Sequence, residues 1–434
     1  MINAASGKIV RFRYEKEKLC LTFVLFFLFA SPLSVCTIVF PFGELIVLVV
    51  TFVSMLLCSN HSFLINAYVK RILLLFYFPM LIAAAFAGVQ LVLKSDLYYS
   101  QYVANYLPVR LIRISMLLCI FIFIHNFILH NKYVLNRILK AYLTGIICML
   151  VLFAIWQIIS GFTGLWCPEI GTRDSAYFLK GLGIKRVTSL ADEPSYLVPF
   201  LIDALLISLF LGWRKIAFVI IAIVLFTLSF GGFMELSILA LSYLFLASSK
   251  DKMKILSIGI ILLLILILFF PQVVDLLIGI VSARAELQSD FDPNDTARTA
   301  MIIHPLEKLF EDNMLAILFG NGPSSFKYLY ESDADSLFVT SNNIYADLLY
   351  EGGVISFLSL ALLFYFIWNL FSHKKFALDR RLVVSKLFVI HILLSSFYRA
   401  DYASERFVVL FIVIEIFYLI IKNDAFLKPN ISMA

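Results

Sequence analysis

The chain has 434 residues, 62% of them hydrophobic, a mean hydropathy of +0.96 and a formal net charge of +6. Soluble domains are roughly half apolar, so a water-solvated globular fold is excluded and lipid is the main solvent. The positive charge sits in short turns between apolar runs, which excludes a nucleic-acid footprint and any expectation of a nucleic-acid partner.

Crossing a bilayer core takes about 20 apolar residues. Twelve runs meet or approach that length, near 19–39, 42–58, 72–93, 107–129, 138–160, 194–212, 216–230, 232–248, 255–271, 343–371, 383–398 and 405–421. They predict an all-α fold, a polytopic bundle of about 12 transmembrane helices with long external loops carrying short amphipathic helices. Only Ser229, Phe230, Gly231 and Gly232 mark a break between the seventh and eighth runs, so one long helix there is the alternative. Lys8, Arg11, Arg13, Lys16 and Lys18 precede the first run like a signal-peptide n-region, but no small-residue cleavage site follows, so the run reads as an uncleaved anchor. With the N-terminus inside, 22 of the 35 Lys and Arg residues fall on cytoplasmic segments, which predicts two cytoplasmic termini. Six scattered cysteines without CxxC spacing predict free thiols, with a Cys36–Cys167 bridge geometrically possible.

Two segments interrupt the alternation of helix and short turn, and both fall on the external side. The predicted organisation is a five-helix region at 1–160, a first loop at 161–193, central helices at 194–271, a large loop at 272–342, and C-terminal helices with a tail at 343–434. Long solvated loops tend to carry function. In the first, Arg173, Lys180, Lys185 and Arg186 offer a cationic face, and Asp192-Glu193-Pro194-Ser195 opens the next helix, where acids and Pro are also ordinary helix-start residues. In the second, Thr296 to Asn313 is amphipathic and reads as a helix at the membrane surface. The acids Glu331, Asp333 and Asp335 match no calcium-loop spacing and read as a solvated tip.

These residues carry a resemblance. Arg186-Val187-Thr188-Ser189-Leu190-Ala191-Asp192-Glu193-Pro194-Ser195 resembles the R-V-x-G/S-x-x-x-E-P-S signature of Wzy-type O-antigen polymerases. Arg298, then Leu318-Phe319-Gly320-Asn321-Gly322, then Asn342-Asn343-Ile344-Tyr345 through Glu351-Gly352-Gly353, resemble the long external loop shared by O-antigen polymerases and ligases. Specific residues cover about forty positions. Ligases carry a His-Asn type pair, then nine residues and a Gly, then two residues and a small residue or Tyr; here that frame reads Asn342-Asn343, Gly353 and Ser356, so the ligase histidine is an asparagine and the resemblance leans to the polymerases. Thr227-Leu228-Ser229-Phe230-Gly231-Gly232 resembles a T-x-S-R-G turn with Phe230 in place of Arg, and Arg173 to Gly183 falls one residue short of an R-x10-G spacing.

The resemblance implies transfer of a growing glycan from undecaprenyl pyrophosphate onto the non-reducing end of a second lipid-linked repeat unit. Its expected setting is the periplasmic face of the bacterial inner membrane, beside a chain-length regulator protein and with no metal or cofactor. Such chemistry needs cations for the leaving pyrophosphate and an acceptor for the attacking hydroxyl's proton. Arginine suits the first task because its charged fork matches phosphate oxygens. Arg186 and Arg298 lead, with Arg110 and Arg113 sharing a helix face three residues apart, then Lys185, Arg399 and Arg406. An arginine outside a motif ordinarily snorkels to lipid headgroups. For the second task Glu193 leads, ahead of Asp192, His304, Asp347 and Glu351, with Asn342, Asn343 and Tyr345 as sugar-binding groups. A ligase is the nearest alternative. A lipid-linked oligosaccharide transporter is the other class, since intramembrane acids such as Asp203 and Glu415 mark ion pathways by default.

Overall fold

The computed structural model describes residues 17–36, 65–94, 97–168, 178–179, 184–191, 193–247, 297–326, 343–372, 380–398 and 402–427, besides single helical positions at 49, 53 and 252. These residues are helical apart from one short antiparallel ladder and the connecting turns. In chain order the helices are α1 Glu17–Val35, α2 Ala67–Leu93, α3 Leu97–His130 and α4 Lys132–Thr163. After the paired strands β1 Phe178–Leu179 and β2 Ile184–Lys185 come α5 Pro194–Phe210, α6 Arg214–Phe226 and α7 Phe230–Leu246. Then follow α8 Ala297–Glu311, α9 Met314–Phe319, α10 Ile344–Leu370, α11 Arg380–Ser395 and α12 Glu405–Leu427.

Twelve crossings were expected, and the described residues hold five helices long and apolar enough to span a membrane: α1, α2, α3, α4 and α10. Two further apolar helices, α5 and α7, are shorter. The runs 42–58, apart from single positions at 49 and 53, and 255–271 lie outside the described residues. The segment 216–248 is two helices. Leu228 turns the chain at φ 49°, and Thr227 Oγ1 donates to Val224 O at 2.6 Å as α6 ends.

Prolines leave a visible imprint on the long helices. Pro79 and Pro108 each lack an N–H and crowd the carbonyl four residues back. In both cases the turn just before widens to a π-turn, Leu73–Tyr77 and Tyr102–Tyr106, and the next N–H reaches back five residues, Phe78 to Leu73 and Leu107 to Tyr102. A third π-turn, Ile147–Val151 in α4, has no proline behind it.

Two helices form the centre. In α5, 15 of 17 residues are buried, and α12 is buried on every side from Glu405 through Phe417, as expected of helices apolar all round. Helix α11 packs on α5, α7 and α12, while α3 lines the other side of α12. The α1–α4 crossing is close because Gly145 presents no side chain; a Cβ there would strike the Phe29 carbonyl. Cys20, Cys36, Cys119, Cys148 and Cys167 are free thiols, so Cys36 and Cys167 are not bridged.

Candidate functional site: an arginine and carboxylate centre

The start of α12 collects three arginines. Arg110 and Arg113 project from one face of α3, and Arg406 opens α12 itself. The Arg110 guanidinium stacks over the Tyr402 ring at 4.9 Å. Tyr402 donates its hydroxyl to the buried Glu351 carboxylate of α10, which also takes backbone N–H groups from Ser324 and Phe326 and lies in the field of Arg110. Burial and the Glu351 charge hold the Tyr402 hydroxyl well above the ordinary phenol range, so it acts here as a donor. Arg113 Nη2 meets Glu405 Oε1 at 3.4 Å. Glu405 sits in the first turn of α12, where the helix dipole favours an acid.

Arg406 is held hardest. Its Nε and Nη2 donate to Asp203 at 2.9 and 3.0 Å, a two-point clamp, and its guanidinium lies 5.5 Å from the Phe200 ring. Asp203, fully buried in α5, also accepts Tyr142 Oη at 2.9 Å and meets His391 Nε2 at 2.7 Å. The other ring nitrogen of His391 meets Glu235 of α7, whose second oxygen takes the Tyr398 hydroxyl. Removing one member of such a set strands its partner, at several kcal/mol for a buried charge. Between Arg113, Glu405 and Arg406 lies a cavity of about 50 Å³, completed by Ser404, Ser34, Phe200, Ile344 and Phe407.

The family-like loop residues explain themselves as backbone packing. Helix α9 ends at Gly320, and the loop 320–326 lies against α10: Asn321 N donates to Tyr350 O at 3.0 Å and Gly322 N to Glu351 O at 2.8 Å. Gly353 breaks α10 at φ 66°, ψ −175°, and a Cβ there would strike the Leu318 carbonyl and the Gly320 nitrogen. Tyr99 and Tyr102 donate to the carbonyls of Asn321 and Pro323 at 2.8 and 2.9 Å, and Gln90 exchanges two hydrogen bonds with Asn313, at 3.0 and 2.8 Å. The Gly320-Asn321-Gly322 turn and Glu351-Gly352-Gly353, thirty residues apart, are one structure.

The same holds for the first loop. Arg186 Nε donates to Thr227 O at 3.3 Å and Val187 N to Phe226 O at 3.3 Å, so the R-V-x-S stretch lies on the α6–α7 turn that carries Phe230. Gln157 of α4 grips the stretch from behind, its Oε1 accepting the N–H groups of Thr188 and Ser189 at 3.1 and 2.7 Å. Glu193 occupies the N-cap position of α5 and accepts Ser195 Oγ at 3.1 Å. Asn343 caps α10 by accepting the N–H groups of Tyr345 and Ala346, and Tyr345 donates to Leu393 O at 2.8 Å.

Of the sequence candidates, the structure brings Arg110, Arg113 and Arg406 together, with Glu351 beside Arg110. Arg173, Asp192, Asn342 and Arg399 lie outside the described residues, as do the side chains of Lys185, Arg298 and His304. Sequence reasoning passed over Glu235, His391, Glu405, Tyr142, Tyr398, Tyr402 and Gln157. For Glu235 and His391 a signal existed, since each is an ionisable residue inside an apolar run.

Fold and site together define a helical membrane protein whose interior holds arginines paired to carboxylates from several helices. Residues 216–361 match the family model described as O-antigen ligase. That match, over less than half of the chain, supports the O-antigen polymerase/ligase superfamily for this segment and suggests a glycosyltransferase-like or ligase enzyme. No curated protein sequence and no solved structure matches the chain.

Proposed function

We propose that this chain is an O-antigen or related surface-polysaccharide polymerase. It transfers the nascent glycan from undecaprenyl pyrophosphate onto the non-reducing end of a second lipid-linked repeat unit at the periplasmic face of the bacterial inner membrane. Both termini are then cytoplasmic, the loops 161–193 and 272–342 are external, and a chain-length regulator acts alongside.

The observation that carries this reading is the meeting of Arg113, Glu405 and Arg406 around one cavity, with Arg110 a turn away, in a chain with the family match. In the transfer, the acceptor hydroxyl oxygen forms the new bond to the anomeric carbon as the bond from that carbon to the pyrophosphate oxygen breaks. The leaving pyrophosphate keeps the electron pair, and fixed guanidinium groups stabilise the charge it develops. The hydroxyl proton passes to a carboxylate; Glu193 leads from its motif, and Glu405 is the carboxylate that lines the cavity. The cavity is water-sized. A diphosphate therefore enters as the 3.4 Å Arg113–Glu405 contact opens, while the tighter Asp203 clamp keeps Arg406 in place.

The ligase reading stands second, favoured by the description of the matching family and opposed by Asn342. Lipopolysaccharide banding from a deletion strain separates them. Core bearing a single repeat unit in place of a ladder, restored by the wild-type copy, is the polymerase result. Loss of every attached unit, with polymer left on the lipid carrier, would overturn it in favour of the ligase.

A further inference from the structure

Most of the ionisable groups clamped behind Arg406 have no part in the transfer chemistry, yet they form one continuous chain of contacts. Starting at the turn after α11, Tyr398 donates to Glu235, Glu235 meets His391 Nδ1, His391 Nε2 meets Asp203 at 2.7 Å, and Asp203 clamps Arg406 at 2.9 and 3.0 Å. Four elements, α5, α7, α11 and α12, each supply one charged member, and α4 adds Tyr142. Asp203, Glu235 and His391 are all at least 99% buried.

The ring of His391 is the junction of the set. His391 Nδ1 faces Glu235, while Nε2 faces both Asp203 Oδ1 at 2.7 Å and Arg406 Nη2 at 2.9 Å, so the ring touches the clamp and the clamped guanidinium alike. Two acids thus face one arginine and one histidine, which is how four ionisable groups persist in an apolar bundle. The chain is not closed on itself. At one end it reaches the guanidinium that lines the cavity. Asp203 takes Nε and Nη2 of Arg406, leaving Nη1 as the nitrogen not engaged by that carboxylate.

We propose that Asp203, His391 and Glu235 are positioning residues that fix the guanidinium of Arg406 for a diphosphate group in the cavity between α3 and α12. The proposal rests on the diphosphate reading of that cavity. Through it, a two-point clamp sets the plane of Arg406, and the His391 ring and Glu235 hold the clamp in place. An arginine free to rotate would spend ordering entropy on each binding event, and a fixed one has that cost removed in advance.

The test uses the full chain purified in detergent, farnesyl diphosphate as the probe and farnesol as the control for the lipid tail. Wild type is expected to bind the diphosphate saturably and to ignore farnesol, and Arg406→Ala to lose at least tenfold in affinity. His391→Gln and Glu235→Gln, assayed at a temperature where each is still fully folded, should each lose about threefold or more in affinity, separately from the lower melting point that the stranded partner brings. His391→Gln should weaken binding no further when combined with Arg406→Ala, an outcome that general loosening of the bundle would not give. Where His391→Gln does not accumulate, Tyr398→Phe, which keeps the ring and removes only the hydroxyl, decides by the same readout. Wild-type affinity in the relay variants, or losses that add to that of Arg406→Ala, overturns the positioning role and leaves the diphosphate site intact. Absence of saturable binding by wild type overturns the diphosphate site, and the positioning proposal with it.

Discussion

Gly353→Ala is the substitution for which the structure gives the firmest magnitude. At φ 66°, ψ −175° the residue occupies a region open essentially to glycine alone, and holding alanine there costs about 1–3 kcal/mol. The added Cβ also meets the Leu318 carbonyl and the Gly320 nitrogen, so the end of α9 has to withdraw from α10. That withdrawal breaks the bonds from Asn321 N to Tyr350 O and from Gly322 N to Glu351 O, each worth about 0.5–1.5 kcal/mol net. The total is about 2–6 kcal/mol. It also pulls the Ser324 and Phe326 N–H groups from the Glu351 carboxylate beside Arg110, so activity should fall as well. With the other five cysteines replaced by serine, a thiol-reactive dye reports exposure of buried Cys20 and follows unfolding in detergent, and the polysaccharide ladder follows activity. Gly88→Ala is the matched control, because its Cβ meets nothing within 4 Å in a helix interior, and it should be neutral or slightly stabilising. If Gly353→Ala melts with Gly88→Ala and keeps a full ladder, the glycine pair is not what seats the loop.

Arg186→Ala and Arg298→Ala are each expected to abolish chain extension with protein level retained, and wild-type banding from both would remove these arginines from the pyrophosphate site. Glu193→Gln should shorten or erase the ladder; full activity would leave Glu193 as a helix-start residue with a bond to Ser195. Gln157→Ala strips the acceptor from two loop N–H groups, about 1–3 kcal/mol for each one left buried and unsatisfied. Hydrogen exchange of Thr188 and Ser189 should rise sharply while α5 stays protected, and unchanged exchange would show that the loop is seated by other contacts.

Much of the architecture was legible because lipid imposes a strong pattern. Apolar length marks helices, and ten of the twelve runs contain or overlap a described helix. The count of crossings was less legible, since α5 and α7 are apolar but short, and α6, α11 and α12 also fall outside the length, apolarity and charge limits of a clear span. The site divides in the same way. Arg110 and Arg113 could be paired from sequence because helical spacing puts them on one face. Their meeting with Arg406, nearly three hundred residues on, depends on tertiary packing that no local pattern encodes. Glu405 looks like any first-turn acid, and Gln157 like any polar residue near a helix end. The glycine motifs were visible, but their role in close backbone approach appears only when α9 and α10 are seen in contact.

Asp203 and Glu415 stood in the sequence as marks of an ion pathway, and the packing gives each an enclosed partner. Asp203 is shared among Arg406, His391 and Tyr142, and Glu415 lies 2.7 Å from His125 across the α3–α12 contact. A pathway needs ionisable groups that exchange partners at successive depths. Asp203 is clamped at two points by Arg406 and takes two further contacts, an arrangement that resists exchange of partners. A fixed field at one end of α12 is what a leaving diphosphate requires, since stabilisation of developing charge is greatest where the donors need no reorganisation. The buried acids therefore weigh on the side of an enzyme that holds its arginines still.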